Sequence, residues 1–305
     1  MKTIFSTAIV LLVFLTNTAI GQGYVFRVLA NRGANQVKTS AGETQPLKTG
    51  AKLNAGDAII SGNGAYIGLM HSSGRTIEVR TAGTTQINDL EKKIASAKSG
   101  VANRYAQFVM NKMNEGDGDV NKNYRKNLKA TGAVERATNN ASIKVMLPSS
   151  IDVLNPNAII RWSGGEEGTT YVVSVKNIFD EEIFSAETDK TSVKINFDDE
   201  NLANERLVIF NVRSKENDEV KSTDYGIKRM SADDASSINE NLEMLKAEIS
   251  DDSPLNKLIY ASFYEENNLI LDALTKYEEA VEMSPDVEDF QIMYQDFLIK
   301  NGLSN

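Results

Sequence analysis

The stretch GDAIISGNGAYIGLMHSSGRTIEVR, Gly56 to Arg80, sets one apolar run before Gly62-Asn63-Gly64 and another after it. A phosphate-cradling loop would need a strand, G-x-G-x-x-G, and then a helix whose N-terminus faces the phosphate. Here Gly64 is followed by AYIGLMH, in which Ala65, Ile67 and Leu69 share one face at the two-residue period of a strand. The third glycine, Gly68, falls one position late and inside that strand. Ile77 and Val79 alternate in the same way, and SSGR between the two runs is a hairpin signal. Gly62-Asn63-Gly64 therefore reads as a turn in an all-β segment.

On either side, YVFRVL, NQVKTS and TTQIN are further short strands, punctuated by Gly50, Gly56 and Gly74. The spacing L-x-x-G-x-x-L-x-x-G-D, carried by Leu47, Gly50, Leu53, Gly56 and Asp57, resembles the FecR-type periplasmic β domain over residues 22–88. That resemblance implies an envelope location. Proteins named for the domain often relay signals across the inner membrane, using an internal membrane helix that this sequence lacks. Only the domain is carried over.

From residue 89 the period changes. Leu90, Ile94, Ala97, Val101, Tyr105, Phe108 and Met113 recur at helical steps, with Lys92, Lys93, Lys98 and Arg104 between them. One amphipathic helix is expected over 89–113, capped by Asn88 or Asp89 and packed on the preceding sheet; a basic helix of this kind can also lie on a membrane surface. Residues 114–142 read as a polar linker. Their DGDVNKN lacks the Gly and Glu of a calcium loop, having Lys122 and Leu128 there.

Seven strand-like runs return over 143–230, bounded by turn signals. Val193, Ile195 and Phe197 alternate, as do Val208, Phe210 and Val212. With Trp162 as an early core tryptophan and Leu202 as the leucine of a crossing loop, this region resembles a fibronectin type III or immunoglobulin-like sandwich. Such modules space and dock.

Residues 231–305 are helical. Ile238, Leu242, Leu245 and Ile249 share one face. Tyr264, Ala273, Tyr277, Ala280 and Pro285 then resemble the tetratricopeptide repeat, while Lys257, Tyr260 and Ala261 depart from it. The resemblance implies a helical hairpin that presents Leu258, Ser262, Glu265 and Glu266 to a partner. One repeat cannot bury its own face. An external segment, the sandwich or the basic N-terminal half of this chain can cover it.

Charge is unevenly spread over the 305 residues: 16 basic and 8 acidic groups in 22–130, 12 and 17 in 131–230, and 4 and 17 in 231–305. The acidic balance and the lack of a basic-aromatic platform argue against nucleic acid. With no cysteine, disulfides and thiolate chemistry are excluded; His71 is the only histidine and cannot build a histidine metal cluster. No carboxylate pair stands out, so no enzyme activity, cofactor or metal is expected. Residues 1–21, with Lys2 before an apolar run and Ala19 and Gly21 before the cut, read as a secretory signal. The expected fold is multidomain α+β. The expected function is a non-enzymatic adaptor of the periplasm binding protein partners of the envelope, with no integral membrane span after cleavage. The alternatives are a secreted or outer-membrane-associated location and a carbohydrate- or cell-wall-binding protein.

Overall fold

The computed structural model describes residues 23–94, 100–115, 143–250 and 252–303. The expected signal segment and nearly all of the expected linker lie outside them. The described residues form a mixed α+β architecture of four mostly antiparallel sheets and six helices, with the last four helices at the C-terminal end.

Eight strands make the first β unit: β1 (Phe26–Arg32), β2 (Gln36–Lys38), β3 (Thr44–Pro46), β4 (Lys52–Leu53), β5 (Ala58–Ser61), β6 (Tyr66–His71), β7 (Thr76–Val79) and β8 (Gly83–Gln86). They pair as two sheets, β4-β1-β6-β7 and β3-β2-β5-β8. Gly62-Asn63-Gly64 is the turn that carries the chain from one sheet to the other; Gly64 sits at φ 67° and the Ala65 amide donates to the Gly62 carbonyl. The glycine-rich spacing has a physical cause. Leu47 and Leu53 are buried, and Gly50 between them and Gly56 just after take positive φ. Buried Asp57 accepts from the amides of Ser40 and Asn54 at 2.9 and 2.8 Å, closing the corner.

β6 is buried on both faces, which alternation alone did not suggest. Ile67 and Leu69 join Phe26, Val28 and Ile59 in the core of the β unit. Tyr66 and Met70 join Leu29 and Ala30 against the helices. A bulge between Val28 and Ala30 lets β1 serve both sides.

The single helix expected over 89–113 is two helices, α1 (Ile87–Lys93) and α2 (Val101–Glu115), and Ile94 after α1 is extended. Their apolar stripes serve different cores, so one straight rod could not carry both. Ile87 and Leu90 pack in the β unit, whereas Ala102, Tyr105, Ala106, Val109, Met110 and Met113 pack into the larger core of the C-terminal helices and second β unit. α2 thus lies chiefly on the C-terminal helices, touching the preceding β unit at β1 and at the β6–β7 turn.

The second β unit has β9 (Lys144–Val145), β10 (Ser150–Val153), β11 (Asn157–Ser163), β12 (Tyr171–Lys176), β13 (Glu182–Thr188), β14 (Ser192–Asn196), β15 (Leu207–Ser214) and β16 (Tyr225–Arg229). Its sheets run β10-β16-β15-β12-β13 and β14-β11-β9, with β10 parallel to β16. Trp162, Phe197, Leu202 and Phe210 are fully buried between them. β10 is the strand that the sequence pattern missed.

The helical end comprises α3 (Ala232–Glu248), α4 (Pro254–Glu266), α5 (Ile270–Met283) and α6 (Glu288–Lys300). Ser231 and Ser253 cap α3 and α4, accepting from Asp234 and Asn256. Ala273 and Ala280 have no exposed surface where α4 and α5 pack.

Candidate partner-docking site

The four residues expected to face a partner lie on α4, beneath α2. Leu258 and Ser262 are fully buried, and the Ser262 hydroxyl donates back to the Leu258 carbonyl. The Glu265 side chain is 4% exposed and accepts from Lys112 Nζ of α2 at 3.0 Å, Lys300 Nζ of α6 at 2.7 Å and the Tyr277 hydroxyl of α5 at 3.1 Å. Burial alone would raise its pKa; the Lys300 and Lys112 ammonium groups outweigh that and hold it below the usual carboxylate value. Glu266 is half-exposed and pairs with Arg104 of α2. At the other end of α2, the amides of Gly100 and Ala102 donate to the Glu248 carboxylate of α3 at 3.1 and 2.7 Å, so a side chain from elsewhere in the fold caps its N-terminus. Tyr105 meets Phe263 edge to face at 5.3 Å. The chain's own basic helix therefore covers the face, and an external segment would have to displace six buried apolar side chains to reach it.

The opposite helix, α5, docks on the second β unit through a polar ladder at steps of three residues that the sequence reading did not single out. Asp272 accepts from the amides of Leu154 and Asn155 and from Asn155 Nδ2 at 3.0, 2.7 and 2.6 Å. Thr275 accepts from the Ile159 amide, and Glu278 binds Arg161 through two bonds of 2.5 and 2.7 Å while also accepting from the Tyr294 hydroxyl. The signal was there in retrospect: Asp272, Thr275 and Glu278 interrupt the apolar side of α5 at one face, where an isolated helix would place only apolar groups.

Burial raises the Asp272 pKa to about 6, against the three hydrogen bonds that favour its charged form. Because the folded value lies above the unfolded one, the folded state binds this proton more tightly. The cost of keeping Asp272 ionised is thus fully present above about pH 6 and relieved as pH falls towards 4. Glu265 behaves oppositely, since its lowered pKa makes its contribution one that acid removes. Comparison with Asp272→Asn isolates the first effect. The stability of the wild type minus that of the variant should grow by about 1 kcal/mol between pH 7 and pH 5. Urea unfolding at the two values measures it, and a difference that shrinks on acidification would contradict the assignment.

Both β units meet the helical end. Thr76 hydrogen-bonds Asn256, Arg32 pairs with Asp286 at 3.0 Å, and Tyr66 meets Phe290 edge to face at 5.5 Å. His71, the single histidine, accepts from the Ser73 amide at 3.1 Å within its own hairpin turn and packs edge-on to Phe26.

Two open features lie on the second β unit. The β12–β13 hairpin ends in Ile178 and Phe179, which are 60% and 76% exposed. Its turn is tightly held. Asn177 Oδ1 accepts from the amides of Phe179 and Glu181, Asn177 Nδ2 donates to Glu181, and Lys176 pairs with Asp180 at 2.7 Å. Where β13 ends, a groove of about 760 Å³ opens between β13, β14 and α5, bordered by Ala186, Glu187, Lys190, Lys194 and Glu282.

No family model matches this chain, and no curated protein matches it.

Proposed function

We propose that this chain is an exported, non-enzymatic adaptor of a Gram-negative cell envelope, acting in the periplasm by binding protein partners. The glycine spacing of residues 22–88 supports a FecR-like unit, and the two-sheet strand order of residues 143–230 supports a fibronectin III-like one. The close α4–α5 hairpin supports a tetratricopeptide-like end. Among the described residues no helix is long and apolar enough to cross a membrane.

One observation carries the reading. The polar ladder and ion pairs of the helical end hold both β units, while a rigid hairpin keeps Ile178 and Phe179 in solvent, where they add nothing to the chain's own core. An adjoining pair of large apolar side chains on a fixed turn is what an interaction surface needs. A photo-crosslinking residue placed at Phe179, with a second at exposed Met244 of α3 as reference, tests it in native envelopes. Capture of a defined protein from position 179 and not from 244 is expected. Capture of polysaccharide or peptidoglycan alone would favour the carbohydrate-binding alternative and overturn the adaptor reading.

A further inference from the structure

The open side of β13 has the main-chain geometry to accept another strand. The Lys215 amide donates to the Thr170 carbonyl at 2.8 Å, one residue beyond the β12–β15 ladder. Main-chain groups alternate along an antiparallel strand, so Val172 and Ser174 face β15, whereas Tyr171, Val173 and Val175 face β13. Their partners on β13 are Thr188, Ala186 and Phe184. Ser185 and Glu187 therefore turn their N–H and C=O groups away from β12, and among the described residues β13 is the last strand of its sheet. Natural edges are commonly blocked by proline, lysine or a covering element. β13 reads EIFSAET, with neither proline nor lysine, and its one bulge lies at the hairpin end beside Lys176.

We infer that this edge takes an extended, basic segment of a partner protein, added as a sixth strand beside β13. The inference rests on the adaptor reading and names the partner's chemistry. Three features lie in line. Ile178 and Phe179 offer an apolar anchor at one end, Ser185 and Glu187 offer main-chain donors and acceptors in the middle, and Glu187 leads into the groove against α5 at the other. Main-chain pairing supplies affinity in such additions, and side-chain sites at alternate positions supply selectivity. The preference for basic residues follows from the anchor's surroundings. Asp180, Glu181, Glu182 and Asp224 cluster there with Lys176 as the one nearby cation in the turn, and Asp180 is 83% exposed. A second copy of β13 is a poorer occupant, because it would bring the acidic Asp180-Glu181-Glu182 turn and no lysine or arginine of its own, Glu187 being already paired with Lys215 at 2.6 Å.

A random dodecapeptide display library panned on the intact chain, and counter-panned on Ser185→Pro, tests this. Proline removes the outward Ser185 donor, and an edge position whose N–H faces solvent is where a strand tolerates it. Enriched peptides should alternate apolar residues with Lys or Arg, bind wild type at least about tenfold more tightly than Ser185→Pro, and slow amide exchange at Ser185 and Glu187. A second variant, Phe179→Ser, leaves the ladder intact and should weaken the same peptides by a similar factor, which keeps the test decisive if the proline variant folds poorly. Equal binding to both variants, protection confined to other residues, or no enrichment would overturn the edge assignment. Envelope crosslinking separates the two levels. Protein capture by wild type and by Ser185→Pro alike leaves the adaptor standing without this edge, and no protein capture by wild type removes the adaptor reading itself.

Discussion

Glu265→Lys should cost about 4 kcal/mol of stability, whereas Glu266→Lys, one residue away, should cost less than about 1 kcal/mol. Both are acidic residues on the last turn of α4, and only their surroundings separate them. Glu265 is buried among Lys112, Lys300 and Tyr277, so reversal would set three ammonium groups together with little water to screen them. Glu266 and Arg104 are both substantially exposed, and water replaces their pairing at small cost. Chemical unfolding of the two variants beside wild type reads the contrast directly. Equal and small losses would mean that α2 does not cover this face, and would restore Leu258, Ser262, Glu265 and Glu266 as an open partner-binding surface.

Gly74→Ala should cost about 3 kcal/mol, and Gly64→Ala only about 1 kcal/mol. Both glycines sit at positive φ, 91° and 67°, so each alanine carries the same kind of backbone strain. They differ in what lies beyond. A Cβ on Gly74 would fall 2.4 Å from the Cα of Asn103 in α2, and backbone cannot step aside as a flexible side chain can. A Cβ on Gly64 meets nothing within 4 Å. The expected excess at Gly74 therefore reports the close seating of the β6–β7 hairpin on α2. Equal losses at the two positions, in the same unfolding experiment, would mean that the hairpin and α2 are not in contact.

Much of this architecture was legible in the sequence because it rests on local periodicity. The alternation of Ile67, Leu69, Ile77 and Val79 and the three- and four-residue steps of Leu242, Leu245 and Ile249 each act within one element. The strands β3 and β4 were not legible, since Thr44–Pro46 and Lys52–Leu53 hold no alternating apolar pair, and β10 offers only the single pair Ile151 and Val153. The break between α1 and α2 was hidden for another reason. The apolar stripe continues through Ile94 and Val101, and only the existence of two separate cores divides it.

The candidate site divided in the same way. Glu265 and Glu266 could be placed on one helix from the repeat-like spacing, and the basic N-terminal half could be named as a rival occupant. Which of the two it was depended on Lys112 and Arg104 meeting α4 across about 150 residues of sequence, a pairing that no local pattern encodes. The β13 edge was equally silent, because an open edge is a property of strand order and EIFSAE reads the same in a central strand as in a terminal one.

The first β unit is joined to the helical end by α2 and by the Thr76–Asn256, Arg32–Asp286 and Tyr66–Phe290 contacts. A site for a specific protease inserted within residues 116–142 allows the chain to be cut there without touching any described contact. After cleavage, size-exclusion chromatography under native conditions should show both fragments in one peak at the position of the intact chain. Separation requires removing the α2 stripe, the Lys112–Glu265 and Arg104–Glu266 pairs and the Glu248 cap from the C-terminal helices, together with the Thr76, Arg32 and Tyr66 contacts to α4, α6 and the loop before it. Elution of the fragment that ends in α2 as an independent species, with the remainder folded, would contradict the coverage of α4 by α2.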